Sequence, residues 1–273
     1  MKKVLAMAAA ALMLVACGTK KAEAPVEEAP APKYLVLYYS QVGTTQKVAE
    51  EFQKALNADI ECVELTDEFP SDYQETIAKV GAMRESGELP AVKDIQSNLE
   101  DYDVIFLGYP IWFGTIATPM QSLLKNIDLK GKKVVNFCSF GSGGLIAGTN
   151  DLKAAVPGID IVASYGVRTL RAENAPAEIN EFLIRNGFVE GEVEALPGFD
   201  EMQPATDEEK AIMDKAISTY AMLNGTVATE VCQRPVTGGV EYLFNAQNKD
   251  QKMQIWVLQK EGAEPEFTLV ERF

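Results

Sequence analysis

Residues Tyr34 to Phe52 read YLVLYYSQVGTTQKVAEEF. The unbroken apolar and aromatic run Tyr34-Leu35-Val36-Leu37-Tyr38-Tyr39 suits a strand buried on both faces, as in a parallel sheet. Ser40-Gln41-Val42-Gly43-Thr44-Thr45 follows, a loop of hydroxyls around one glycine. From Gln46 the apolar period becomes helical, with Val48, Ala49, Phe52, Ala55 and Leu56 on one face. A strand, a hydroxyl loop and a helix can together hold a phosphate without any cation. Backbone N–H groups of the loop and first turn point at the anion, the helix dipole favours it, and Ser and Thr hydroxyls donate the remaining hydrogen bonds. The same residues also suit a capped helix after a strand, since Ser and Thr are ordinary N-caps.

The loop Ser40-Gln41-Val42-Gly43-Thr44-Thr45 resembles the phosphate loop of the flavodoxin family, Thr/Ser-x-Thr-Gly-x-Thr. Val42 stands where the family usually has a third hydroxyl. The segment Asp101 to Gly144 is also similar to that family. Its tract Gly108-Tyr109-Pro110-Ile111-Trp112-Phe113-Gly114 matches a loop that packs against the isoalloxazine ring in flavodoxin-like proteins. An aromatic at a strand end offers a stacking face for a flat heterocycle, and Trp112 is the expected one. Alternatively, Trp112 and Phe113 simply cover the end of the sheet. Ser139-Phe140-Gly141-Ser142-Gly143-Gly144 is the third expected loop, whose glycines let backbone N–H groups approach a ligand closely. It is neither a nucleotide P-loop, because no Gly-Lys-Ser/Thr follows, nor a nucleophile elbow, because Phe140 takes the first glycine position.

The chain has 273 residues, a formal net charge of −15 and no histidine. Its length allows more than one domain. The acidity argues against nucleic acid as a partner, because a phosphate backbone needs a basic footprint. The lack of histidine excludes Ser-His-Asp and Cys-His nucleophilic sites and imidazole acid–base chemistry, so any enzyme here borrows its chemistry from a cofactor. Lys2-Lys3 and the apolar run Val4 to Val15 read as a processing signal over residues 1–17. Leu14-Val15-Ala16-Cys17 resembles the bacterial lipobox, which implies cleavage before Cys17 and a lipid on its sulfur. Residues 18–32, rich in Ala, Pro and Glu, read as a disordered tether. With Cys17 lipidated, Cys62, Cys138 and Cys232 remain, an odd number that makes no complete disulfide framework. Cys62 and Cys138 are expected in the core.

From Tyr34 to Gly187 strand patterns alternate with helical ones. Strands are expected at Tyr34 to Tyr39, Asp59 to Leu65, Tyr102 to Gly108, Lys132 to Ser139 and Ile159 to Val167. Helices are expected from Gln46, over Ser71 to Ser86, Ala117 to Lys125, Thr149 to Ala155 and Pro176 to Asn186. This pattern predicts an α/β domain over residues 33–187, a doubly wound five-stranded parallel sheet. Ligands of such sheets bind at the carboxyl ends of the strands.

Phe188 to Pro204 lacks a clear period and reads as a linker. Residues 205–273 differ in kind: one amphipathic helix, Thr206 to Leu223, opens with the capping box Thr206…Glu209. About four antiparallel strands follow, at Val227 to Arg234, Gly239 to Asn245, Met253 to Gln259 and Glu266 to Arg272. This smaller α+β unit resembles the cystatin fold. The run Val231 to Tyr242 is similar to the region of the cystatin Gln-x-Val-x-Gly hairpin, but with an extra residue and Pro235.

The flavodoxin resemblance implies FMN as cofactor. It places the phosphate on Ser40, Gly43, Thr44 and Thr45, with Gln41 and Val42 of the same loop also among the cofactor-binding residues, and the ring among Pro110, Ile111, Trp112, Phe113, Gly114, Ser139, Phe140, Gly141, Gly143 and Gly144. The expected function is electron transfer outside the cytoplasm, with a redox partner protein or a small-molecule acceptor. The lipid anchor places the chain at the cell envelope, with outer membrane favoured over inner. The alternatives are an FMN-dependent reductase of quinones or other small molecules, and a flavin-free binding protein on the same scaffold.

Overall fold

The computed structural model describes residues 31–70 and 72–273. The expected signal with Cys17, nearly all of the tether, and Ser71 lie outside the described residues. Strand β1 (Tyr34–Tyr38) alternates sharply between two interiors. Leu35 and Leu37 join Ile105, Leu107 and Tyr109 in one core, while Val36 and Tyr38 join Phe106, Val135 and Phe137 in another. Because successive side chains of a strand point to opposite faces, two cores mean that both faces of the sheet are covered.

The elements that cover it follow from the helical periods. Helix α1 (Thr44–Leu56) buries Val48, Ala49 and Phe52. Strand β2 (Asp59–Cys62) and helix α2 (Tyr73–Ser86) follow, the helix capped by Asp72, whose side chain accepts from the N–H groups of Gln74 and Glu75. Next come β3 (Val104–Trp112), β4 (Thr115–Ile116), α3 (Thr118–Asn126) and β5 (Lys133–Phe140). Then come α4 (Leu145–Ala155), β6 (Asp160–Arg168) and α5 (Ala175–Arg185). The sheet order is β2-β1-β3-β5-β6, all parallel, with β4 antiparallel to β3. Helices α1 and α5 cover one face, and residues of α2, α3 and α4 cover the other. This is the expected doubly wound sheet.

The second sheet is antiparallel, in the order β11-β10-β9-β8-β7. Its strands are β7 (Gln203–Pro204), β8 (Val227–Val236), β9 (Gly239–Asn248), β10 (Gln251–Lys260) and β11 (Glu266–Arg272). Helix α6 (Asp207–Ile217) opens with the expected capping box and packs Met213, Ala216 and Ile217 against Phe244, Ile255, Val257 and Phe267. The sheet has one strand more than expected, because the end of the supposed linker pairs with β8 at Gln203 and Pro204.

Four local expectations are corrected. Helix α6 stops at Ile217, six residues early; Ser218 Oγ donates to the Lys215 carbonyl at 2.8 Å and the backbone tightens into a 3-10 turn at Ala221–Leu223. Helix α4 begins at Leu145, four residues early, because its N-terminus is capped from β11. Tyr109 to Gly114 is not a free loop: β3 runs on to Trp112, and Phe113 and Gly114 form the tight turn into β4, with φ of 52° and 80°. Cys62 is exposed on the edge strand, whereas Cys138 and Cys232 are buried.

Residues 32–273 pack as one unit. Strand β11 lies against the loop after β5: Val270 N–H donates to the Ser142 carbonyl at 2.8 Å. Arg168, at the end of β6, donates to the Phe267 carbonyl at 2.7 Å and stacks its guanidinium 3.4 Å above the Phe267 ring.

Candidate functional site

The carboxyl ends of β1, β3 and β5 converge on a cleft of about 650 Å³. Its lining includes Ser40, Gln41, Val42, Thr44 and Thr45 from the first loop, Pro110, Ile111, Trp112 and Phe113 from the second, and Ser139, Phe140 and Gly141 from the third. Four expected residues do not line it: Gly43, Gly114, Gly143 and Gly144. Gly43 is the N-cap of α1 at φ 86°, and Gly114 sits in the β3–β4 turn. Gly143 and Gly144 are turned to other neighbours. A Cβ on Gly143 would lie 1.5 Å from the Val270 carbonyl oxygen, and Gly144 N–H donates to Glu271 Oε1 at 3.2 Å.

The first loop is held from below. The Tyr39 hydroxyl donates to the Gln41 side-chain carbonyl, and Gly43 N–H donates to Ser40 Oγ at 3.2 Å. Buried Thr45 and Ser139 share a hydrogen bond of 2.8 Å between their hydroxyls, which ties the first loop to the third. Helix α1 has no side-chain cap and no acidic residue in its first turn. Its leading N–H groups are therefore free for an anion, whereas α2 and α6 fill theirs with Asp72 and Thr206. Val42 is 77% exposed at the loop tip.

Trp112 is half-buried, with its ring edge-on to Tyr39 at 5.8 Å and to Phe69 at 5.7 Å. Phe113 is a bulky residue at positive φ, 49% exposed, with the Arg84 guanidinium 4.7 Å over its ring. Phe140 is 3% exposed, so it belongs chiefly to the core below the cleft. Among the described residues, no side chain lining the cleft is charged. Burial pushes the Tyr39 hydroxyl well above the ordinary tyrosine range, so it stays protonated and a donor to Gln41.

Six lining residues were not foreseen: Thr76, Ile77 and Val80 of α2, Thr169 after β6, and Tyr220 and Met222 beyond α6. The α2 and Thr169 positions carry no local signature, since their place in the wall comes from packing across the sheet. A second depression, about 450 Å³ along β2, is lined by residues such as Glu61, Cys62, Glu64 and Lys93; Lys93 pairs with Glu64 at 2.6 Å, and the Glu61 carboxylate accepts the backbone N–H groups of Gln96 and Ser97.

Comparison with known proteins finds a family model described as Flavodoxin that matches residues 33–183, over half of the chain. No curated protein matches. Among solved structures, a flavoprotein from Lactobacillus acidophilus NCFM, in complex with FMN, is 22% identical, with 55% of this chain and 98% of that chain covered and a TM-score of 0.47. Proteins described as flavoproteins from Bacteroides eggerthii DSM 20697 and Bacteroides uniformis ATCC 8492 are 27% and 23% identical. Each aligns with 55% of this chain, covering 97% and 99% of their own chains, with TM-scores of 0.47 and 0.49. By the family match over residues 33–183, the chain belongs to the flavodoxin family.

Proposed function

We propose that the cleft holds FMN and that the chain transfers electrons through it. The observation that carries this reading is one uncharged cleft joining all three loops, with the uncapped N-terminus of α1 at one side. The donor set fits a phosphate monoester held without a cation: the first-turn N–H groups of α1, with hydroxyls at Ser40 and Thr44. The apolar part of the wall, including Ile77, Val80, Ile111 and Trp112, fits a flat heterocycle. Bound FMN supplies one- and two-electron redox chemistry. The residues of this chain hold the phosphate, exclude water from the ring and set the electrostatic surroundings. A net charge of −15 and an uncharged wall both disfavour added negative charge in the cleft, which lowers the reduction potential.

The lipobox Leu14-Val15-Ala16-Cys17 supports a lipid anchor and a place in the cell envelope, with the acidic, Pro-rich stretch after it as a tether. A small-molecule reductase is the second reading, favoured by the approach of Tyr220 and Met222 to the cleft, which narrows access for a protein partner. The helix packed on an antiparallel sheet in residues 205–273 supports a cystatin-like reading of the arrangement, and an arrangement alone assigns it no inhibitory function.

The test is the visible spectrum of the purified chain, followed by titration with FMN. Uptake of FMN with quenching of its fluorescence is expected. A chain that stays colourless and leaves FMN fluorescence unchanged refutes the reading and leaves a binding protein on a flavodoxin scaffold.

A further inference from the structure

The family match ends at residue 183, yet the cleft wall includes Tyr220 and Met222. These two residues reach it because α6 breaks at Ile217 and the chain turns through Tyr220 into the 3-10 turn Ala221–Leu223. The Tyr220 ring packs on Phe267 of β11 with centroids 5.6 Å apart, and the Arg168 guanidinium lies 6.0 Å from it. Its hydroxyl is 3.3 Å from where a Cβ on Gly141 would stand, which brings the ring's polar end close to the third loop. Met222 is 71% exposed, a large apolar side chain left in solvent at the cleft. Single exposed apolar residues are common, but this one stands beside an aromatic on an uncharged ligand cleft.

The contact is built in rather than incidental. Arg168, 4% exposed, donates from Nε to the Gly141 carbonyl at 3.2 Å and from Nη1 to the Phe267 carbonyl, so one cation grips both the third loop and the strand that carries Tyr220's neighbour. Val270 and Glu271 of β11 bind the next residues of that loop, Ser142 and Gly144.

We infer that the C-terminal unit is part of the cofactor site: Tyr220 and Met222 are flavin-contacting residues, supplied from outside the flavodoxin stretch, where the third loop's own aromatic, Phe140, is buried. The inference rests on the FMN reading above. It makes the docking of the C-terminal unit and the binding of FMN mutually dependent, since each orders the other's contact surface.

The test is FMN titration of the full chain, followed by flavin fluorescence and visible absorption, with Tyr220→Phe, Tyr220→Ala and Met222→Ala. Tyr220→Ala and Met222→Ala should each weaken FMN binding by about three- to tenfold and shift the flavin absorption band, while Tyr220→Phe should stay within about twofold of the parent. Hydrogen exchange at residues 218–224 should slow when FMN is added to the parent chain. Met222 is exposed, so its truncation tests the wall even where Tyr220→Ala unfolds. Parent-like affinity and spectrum in Met222→Ala, with unchanged exchange at 218–224, overturns the inference while FMN binding stands. A parent chain that ignores FMN overturns both readings.

Discussion

Glu271 Oε1 accepts the backbone N–H of Gly144 at 3.2 Å, and that of Ile146 at 3.1 Å, so a carboxylate near the end of the chain caps a helix of the first sheet. Glu271 is 4% exposed, and the α4 N-terminus it meets has no local side-chain cap. The charge of the carboxylate suits the positive end of the helix dipole.

Glu271→Ala should leave the buried Gly144 N–H and the half-buried Ile146 N–H without this acceptor. The expected cost is about 1–2 kcal/mol, a fall in Tm of about 2–8 °C. Glu271→Gln keeps one acceptor oxygen and should lose less. Thermal melts followed by circular dichroism measure both, and equal stability of all three chains would show that the cap contributes nothing.

Gly143 and Gly81 should respond in opposite directions to alanine. At Gly143 the new methyl meets the Val270 carbonyl oxygen at 1.5 Å, so the third loop and β11 must separate, at about 1–3 kcal/mol or more. At Gly81, inside α2, nothing lies within 4 Å, and alanine should stabilise by about 0.5–1 kcal/mol through helix propensity. Urea midpoints decide; a neutral Gly143→Ala would mean the loop and strand are not in contact.

Val42 sits 77% exposed where the family usually carries a hydroxyl. Val42→Thr should tighten FMN binding by about threefold, the yield of one net hydrogen bond. Thr44→Val should weaken it by about tenfold or more, since a bond to a charged phosphate is worth about 1.5–3 kcal/mol. Gly43→Ala should weaken binding as well, because φ 86° strains any side chain and the loop would shift. Dissociation constants from fluorescence quenching test the three together.

Alkaline pH should unfold the protein through its buried tyrosines. Burial pushes the Tyr38 hydroxyl up to about 12 from 10.0, and raises those of Tyr39, Tyr109 and Tyr165 further. A folded pKa above the unfolded one contributes stability that is complete below the unfolded value and is lost as pH rises through the folded one. Stability should therefore be flat with respect to these groups below about pH 9 and fall steadily from about pH 10 to 12. The readouts are urea midpoints across that range and tyrosinate absorbance, which should rise together with unfolding. Free titration of every tyrosine near pH 10 in a still-folded chain would contradict the burial.

Thiol labelling should separate the cysteines. Cys62 is exposed on β2, whereas Cys138 is 1% exposed and burial pushes its thiol far above the ordinary range. Cys62 should label first with a neutral disulfide reagent at mildly alkaline pH, and Cys138 only after unfolding. Early modification at Cys138, located by peptide mass, would place β5 at the surface.

Much of the first sheet is readable along the chain. The apolar run at Tyr34 to Tyr39, the helical period after Gln46 and the capping box at Thr206 are patterns of near neighbours, and each appears where expected. Boundaries fail where a distant residue intervenes. The start of α4 is displaced because its cap, Glu271, is 127 residues away from Gly144. Cys62 reads as core because β2 has a strand pattern, and its exposure follows from β2 being the edge of the sheet.

The candidate site divides in the same way. Sequence alone determines the chemistry of the three loops: hydroxyls and a glycine at Ser40 to Thr45, an aromatic at Trp112, and glycines after Phe140, because residue types and short spacings carry it. Only the tertiary structure decides that Thr45 bonds to Ser139, that Gly143 and Gly144 serve β11 instead of the cleft, and that Tyr220 and Met222 complete its wall. Those relationships join residues brought together by sheet order and by the packing of a second sheet. No local period or propensity encodes them, because their free energy comes from contacts that exist only once the chain has closed on itself.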